Sequence, residues 1–430
     1  MAKVPQSLTP DLHTVALGFY LNWYLRPRSS PAGSSLGLLA SLSAWVSSSK
    51  SAMVDSAVSS MALAVYSRVR HHILAATASS MTYQLTLRSA QNSISNLSAA
   101  NIDACLMTIF LMSRYEDVFH RHWHSPTGIS FGSAPHHDGA TVILKTWVDN
   151  FRGSTPPSVV IKHTRRGLLR SALLRHLAVP EWMLDGSVFG ETGQDLAYDS
   201  IFVRLLNIRH QLQTGLGNDD SGVTSSYVIP SAGDLEDLLV ELKTLDGDLE
   251  TWKANFPTSW EFTTWTVKDV GQTPRQHFYT PRANLHSSLV AVAAYNQYLI
   301  TSMLVSSTRM RLVQQSQFFP ETFRDGLDKE MLKSLFHLED MGKEVAANFP
   351  FCLSLIKLED GECVIRKAGS MEAYEPATAN LLAWPLSVVS NLHGVNNAQK
   401  KWFQSELMFV GITLGYGALQ CTDGHACIRL

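Results

Sequence analysis

His120, His122, His124, His136, His137 and Asp138 are of the types that hold metals. Imidazoles and a carboxylate suit zinc or non-haem iron. Ligands on a helix must recur every three or four residues to share a face. His120 and His124 do so, but His122 falls on the other side, and no glutamate accompanies them in the HExxH manner. The set therefore reads as a helix end and a loop whose histidines meet backbone carbonyls or solvent. No metal ligand is assigned.

Gly128-Ile129-Ser130-Phe131-Gly132 matches G-x-S-x-G, the nucleophile elbow of α/β-hydrolases. The elbow needs a buried strand that feeds a strained turn at a helix N-terminus. His122-Trp123-His124-Ser125-Pro126-Thr127 does not make that strand, and Pro135 follows before a helix can settle. Ser130 is not assigned a catalytic role. Lys162, Arg165, Arg166, Arg170 and Arg175 form a basic helix interleaved with Leu168, Leu169, Ala172, Leu173 and Leu174. Such a helix could lie on phosphates. Without aromatic interleaving it reads instead as amphipathic, with its charged face in water and Pro180 as a stop. Gly411 and Gly415 make a small-xxx-small pair that would let a neighbouring helix approach closely. There is no Walker-type loop, no G-x-G-x-x-G after a strand, no EF-hand loop and no paired-carboxylate signature. The residues name no catalytic group and no cofactor.

The whole chain must carry whatever these residues do. It has 430 residues, of which 45% are hydrophobic and only 17% charged. That excludes a charge-rich disordered chain or a coiled-coil rod. Lys+Arg 35 against Asp+Glu 37 gives a net charge of −2, so nothing in the overall charge draws it to nucleic acid or anionic lipid. The cysteines, at 105, 352, 363, 421 and 427, include no CxxC pair and read as reduced thiols. The start has no signal-peptide pattern. The longest uncharged run, Ala283 to Thr308, could span a bilayer by length. Asn284, His286, Ser287, Ser288, Asn296 and Gln297 make it a buried helix instead, and no membrane is expected.

The hydrophobic period is helical nearly throughout. Leu235, Leu238, Leu239, Leu242, Leu245 and Leu249 share one face, with Ser231 as the expected N-cap. A second long helix is expected from Thr280–Pro281 to about Met310. Further helices are expected at 10–24, 36–48, 53–77, 80–97, 101–118, 136–149, 161–177, 195–213, 321–347, 373–391 and 397–419. The one hairpin signal is Leu353–Leu358 and Glu362–Lys367 around Asp360–Gly361. With no fixed repeat and no biased linker, the expectation is one all-α, irregular multi-helix domain over 1–430 with at most one short hairpin.

Several stretches resemble the regulatory (middle homology) region of fungal zinc binuclear-cluster transcription factors. Near the end these are NFPFCLSLI (348–356), LLAWPLSVVSNLHGV (381–395) and KKWFQSELMFVGITLGYGALQ (401–420). Trp384, Pro385, Leu386, Trp402, Leu407, Gly411 and Gly415 fall on the family pattern there. Upstream, YEDVF (115–119), HHDGATVIL (136–144), RGLLRSALLRHLAVPEWML (166–184) and ALGFYLNWY (16–24) follow the family's order, with His136, Gly139, Ala140 and Leu144 matching. The resemblance implies an all-helical, ligand-responsive or interaction region without a shared catalytic site. It would make His136 a structural residue beside a close-packing Gly139–Ala140. The family reads DNA through an N-terminal module of six cysteines around two zinc ions; this sequence has no cysteine before Cys105. The expectation is thus a nuclear regulator, with the cytoplasm as the other location. It would act through other regulatory proteins or a small-molecule effector and could form a dimer. It would not bind specific DNA by itself, and it would control a metabolic or secondary-metabolite gene cluster. The rival reading is an enzyme or small-molecule-binding protein recruited from the same helical scaffold in a biosynthetic pathway. In that reading the histidines or Ser130 would matter.

Overall fold

Asp11 starts the first helix: its carboxylate accepts the Thr14 backbone N–H at 3.0 Å, filling one of the donors a helix start leaves open. The computed structural model describes residues 11–25, 51–119, 133–214, 232–268, 270–315, 327–366 and 374–420. Among them are α1 (Leu12–Phe19), α2 (Ala52–Val69), α3 (Ile73–Ile94), α4 (Ile102–Phe119), α5 (Ala134–Asn150) and α6 (Val159–Arg175). Then come α7 (Gly193–Thr214), α8 (Ala232–Ala254), α9 (Leu289–Gln315), α10 (Leu327–Cys352), α11 (Pro376–Val389) and α12 (Asn397–Leu414). A π-helical turn, Tyr20–Tyr24, extends α1. The expected helix at 36–48 and the Ser231 cap lie outside the described residues, as do Cys421 and Cys427.

Helices consecutive in the chain pack on one another, from α2–α3 through α11–α12. The row closes because α12 returns to α2, and the short turn Gly417–Leu419 packs on α4. Tyr24 pins that closure by donating its hydroxyl to the Leu414 carbonyl at 2.8 Å. One cluster of buried apolar side chains runs from Tyr20 to Tyr416. The leucine face of α8 is buried as its spacing requires: Leu235, Leu242 and Leu245 are fully enclosed.

The all-α class holds, with two small antiparallel pairs. β3 (Ile356–Glu359) and β4 (Glu362–Ile365) are the expected hairpin, shorter than drawn from sequence. Asp360 and Gly361 both have positive φ, 50° and 78°, as a tight primed turn requires. The second pair was not legible. β1 (Phe262–Thr266) lies against β2 (Arg282–His286), so the long helix begins at Leu289 and not at Thr280–Pro281. The apolar, uncharged run continues across the strand–helix junction and hides it. Ser288 marks the true start, its hydroxyl accepting the Ala291 N–H at 3.1 Å. The 53–77 expectation is also corrected. The chain breaks at His71, whose φ is 53°, and His72 caps α3 through Nδ1 to the Ala75 N–H.

α9 is long and apolar enough to cross a membrane, but 83% of that stretch is buried inside the protein. Among its polar residues Asn296, Thr301 and Ser302 have side-chain partners on other elements, whereas the hydroxyls of Ser306 and Ser307 are buried without one. Asn348 of α10 accepts from Asn284 Nδ2 at 3.0 Å and His286 Nε2 at 2.9 Å, and donates to Asn296 at 2.7 Å.

Candidate functional site

The basic helix α6 points its charges inward. Ser158 caps it, accepting the Ile161 N–H at 3.2 Å, and His176 ends it in the left-handed conformation. Arg165 is fully buried; it grips Asp199 of α7 with two bonds of 2.6 and 2.9 Å and donates through Nε to the Met183 carbonyl. Arg166 forks onto Glu191 at 2.6 and 2.5 Å and also meets Asp195. Lys162 pairs with the same two carboxylates, and Arg175 reaches Asp138 at 2.7 Å. Arg170 lies over the Trp384 ring, 5.1 Å from its centre. The sequence places this charge on a solvated face; the structure corrects that. Asp195 and Asp199 of α7, Glu191 in the turn before it and Asp138 of α5 face it, so these groups carry a bundle contact and not a phosphate track.

Of the histidine set, His120, His122 and His124 lie outside the described residues, as does Ser130 with its flanking glycines. His136, His137 and Asp138 open α5. The two histidines point apart: His136 Nε2 meets the Tyr83 hydroxyl at 3.0 Å, whereas His137 bridges Ser113 at 3.2 Å and Ser171 at 2.8 Å. Burial, reinforced by Arg114 and Arg175, pushes the His137 pKa down to about 4, so its ring is neutral and is used up by hydroxyls. Among the described residues no three His, Cys, Asp or Glu side chains converge as metal ligands. Cys105, Cys352 and Cys363 are buried free thiols, and burial raises Cys105 to about 11.

At Gly415 a neighbouring helix does approach closely, as expected: a Cβ there would meet Val69 Cγ2 at 3.2 Å and Arg68 Cβ at 3.3 Å on α2, whereas Gly411 plays a different part. Gly415 ends α12 in the left-handed region, φ 71°, and Tyr416 N–H returns to the Gly411 carbonyl at 2.9 Å. A Cβ at Gly411 would stand 2.9 Å from Leu419 Cβ, so the close approach is the chain's own following turn and not a second helix. Gly139 is not a close-packing position either, since a Cβ there would meet only Ile109 Cδ1 at 3.8 Å.

Most of the core is closed; apolar side chains such as Val142, Val240, Leu332 and Phe336 are exposed on other helices, and the longest exposed set is on α3. Ile73, Leu74, Met81 and Leu85 are 82, 70, 67 and 61% exposed. Leu74, Ala78, Met81 and Leu85 recur at steps of four, three and four, a stripe on one face. Beside it runs an open groove of about 430 Å³ bordered by His13, Ser56, Ser59, Ala78, Met81 and Leu85. The stripe was in the sequence, but its period equals that of a core-facing helix; only exposure separates the two.

No protein-family model, no curated protein and no solved structure matches this chain.

Two further features gave no sequence signal. His277, on the loop before β2, donates its backbone N–H to Glu406 Oε1 at 2.7 Å, and its Nδ1 meets Oε2 at 2.8 Å. That buried pair ties the loop to α12 across 129 residues of chain. The second feature is Arg209 of α7, buried with its Nε and Nη2 unpartnered.

Proposed function

We propose that this chain is a regulatory module of the kind fungal zinc binuclear-cluster transcription factors carry behind their DNA-reading module, and that it acts through a partner protein. The observation that supports this reading best is the apolar stripe of α3, exposed over an otherwise closed core. Large contiguous apolar exposure on a folded domain marks an interaction surface. The only charged residue on α3 is Arg88, so a partner helix with an apolar face could lie along it without burying opposed charges. The internal pairing of Lys162, Arg165, Arg166 and Arg175 fits the same reading, because DNA contact would then fall to another module or protein.

A reporter experiment tests it. The full chain fused to a heterologous DNA-binding domain should change transcription from a matching promoter. The triple variant Leu74→Glu, Met81→Glu, Leu85→Glu should lose that effect while keeping its helical circular dichroism and melting temperature. No effect of the wild-type fusion, or full retention in the variant, would sink the proposal. Concentration-dependent dimerisation that the same substitutions abolish would make the occupant a second copy of this chain.

A further inference from the structure

Two arginines on neighbouring helices lie together without a counter-charge among the described residues. Arg209 is 5% exposed. Its Nη1 donates to Thr308 Oγ1 of α9 at 2.8 Å, while Nε and Nη2 are buried without a partner. Arg311 follows Thr308 by one helical turn, on the same side of α9. It is half-buried, and no carboxylate pairs with it among the described residues. Burial and the Arg311 charge both disfavour the charged form of Arg209. The loop after α11 brings His393 beside Arg311, whose charge together with burial disfavours protonation of the imidazole, and its Nε2 is buried and unpartnered. Gly394 seats that loop on α9: a Cβ there would come within 2.5 Å of Met310 Sδ, next to Arg311 in the chain.

Guanidinium groups stay charged at any physiological pH, and an uncompensated buried charge is strongly destabilising. The other buried arginines obey that rule, Arg165 with Asp199 and Arg309 with Asp246. Arg209 breaks it, with an orphaned fork beside a second arginine and an orphaned imidazole. An anion bound here would satisfy the orphaned donors and balance the charge at once, which a water could not do. We propose that this corner, where α7, α9 and the loop after α11 meet, is a binding site for a phosphate group carried by a small metabolite. Arg209 and Arg311 would be the charged donors, His393 the third, and Thr308 would hold Arg209 in place. Two guanidinium charges match the roughly −1.5 to −2 of a phosphate group and exceed the single charge of a carboxylate. The inference goes beyond the regulatory reading and does not depend on it.

The test uses the full chain and inorganic phosphate, with acetate and chloride at equal ionic strength. Titration calorimetry should give saturable heat with phosphate only, and the melting temperature should rise with phosphate alone. Arg209→Met and Arg311→Met should each weaken phosphate binding about tenfold or more, as expected for lost charge-assisted bonds. In phosphate-free buffer, Arg209→Met should melt no earlier than wild type, because it removes an uncompensated charge. Absence of saturable heat, or an equal phosphate response in Arg209→Met, would overturn the site. Acetate acting as well as phosphate would overturn the ligand class. A marked loss of stability by Arg209→Met without phosphate would show that a group within the chain already neutralises it.

Discussion

Arg165 and Asp199 hold each other in a two-bond ion pair, 2.6 and 2.9 Å, with neither side chain on the surface. The pair joins α6 to α7 at the point where the 3₁₀ turns 181–189 also meet, because Arg165 donates to the Met183 carbonyl as well. Asp199→Asn leaves the guanidinium buried with half its partner. Loss of about 3–5 kcal/mol is expected, the usual cost of breaking a buried pair from one side. Urea denaturation checks it; Arg165→Met with Asp199→Leu should recover much of the loss.

The glycine beside that pair should be intolerant. A Cβ at Gly186 would stand 2.3 Å from Asp199 Oδ2, so Gly186→Ala must push the carboxylate off its arginine. A loss of about 1–3 kcal/mol is expected from overpacking alone. Gly139→Ala is the contrasting case. It sits inside α5 with open room, and helix propensity predicts a gain of about 0.5–1 kcal/mol. Thermal melts of both variants test the contrast, and a loss at Gly139→Ala would restore the close-packing role that the family resemblance implies.

Stability should fall as the solution is acidified. His137 and His163 are both pushed down to about 4 from 6.5, chiefly by burial. Below about pH 6.5 the unfolded chain takes up protons there that the folded chain refuses, so stability drops until about pH 4 and then levels. Each shift corresponds to about 3 kcal/mol at most. Chemical denaturation from pH 8 to 4 measures the slope, and His137→Gln should flatten it. A slope unchanged by that substitution would show that His137 does not titrate differently on folding.

Gel-shift assays at about 150 mM salt, where weak phosphate contacts are screened, should show no sequence-specific complex with this chain alone. The acids that face α6 leave it little to offer a DNA backbone. Nanomolar binding to one sequence over competitor would reveal a DNA-reading element elsewhere in the chain.

The sequence by itself determined the helical class, most helix positions and the Asp360–Gly361 hairpin. Those follow from local periods and turn chemistry, which neighbours in the chain suffice to express: the leucines of α8 and the Asp360–Gly361 turn are examples. Only the tertiary structure decided where charge and exposure fall. Arg165 and Arg88 look alike as letters on amphipathic helices, yet one is sealed against Asp199, 34 residues away, and the other is exposed. The stripe of α3 and the stripe of α8 have the same period, and packing buries one and leaves the other bare. The β1–β2 pair was hidden because its strands, 262–266 and 282–286, recognise each other across a loop and not through local alternation. The unpartnered Arg209 had no signature at all, since an orphaned charge is defined by what three-dimensional packing fails to place beside it.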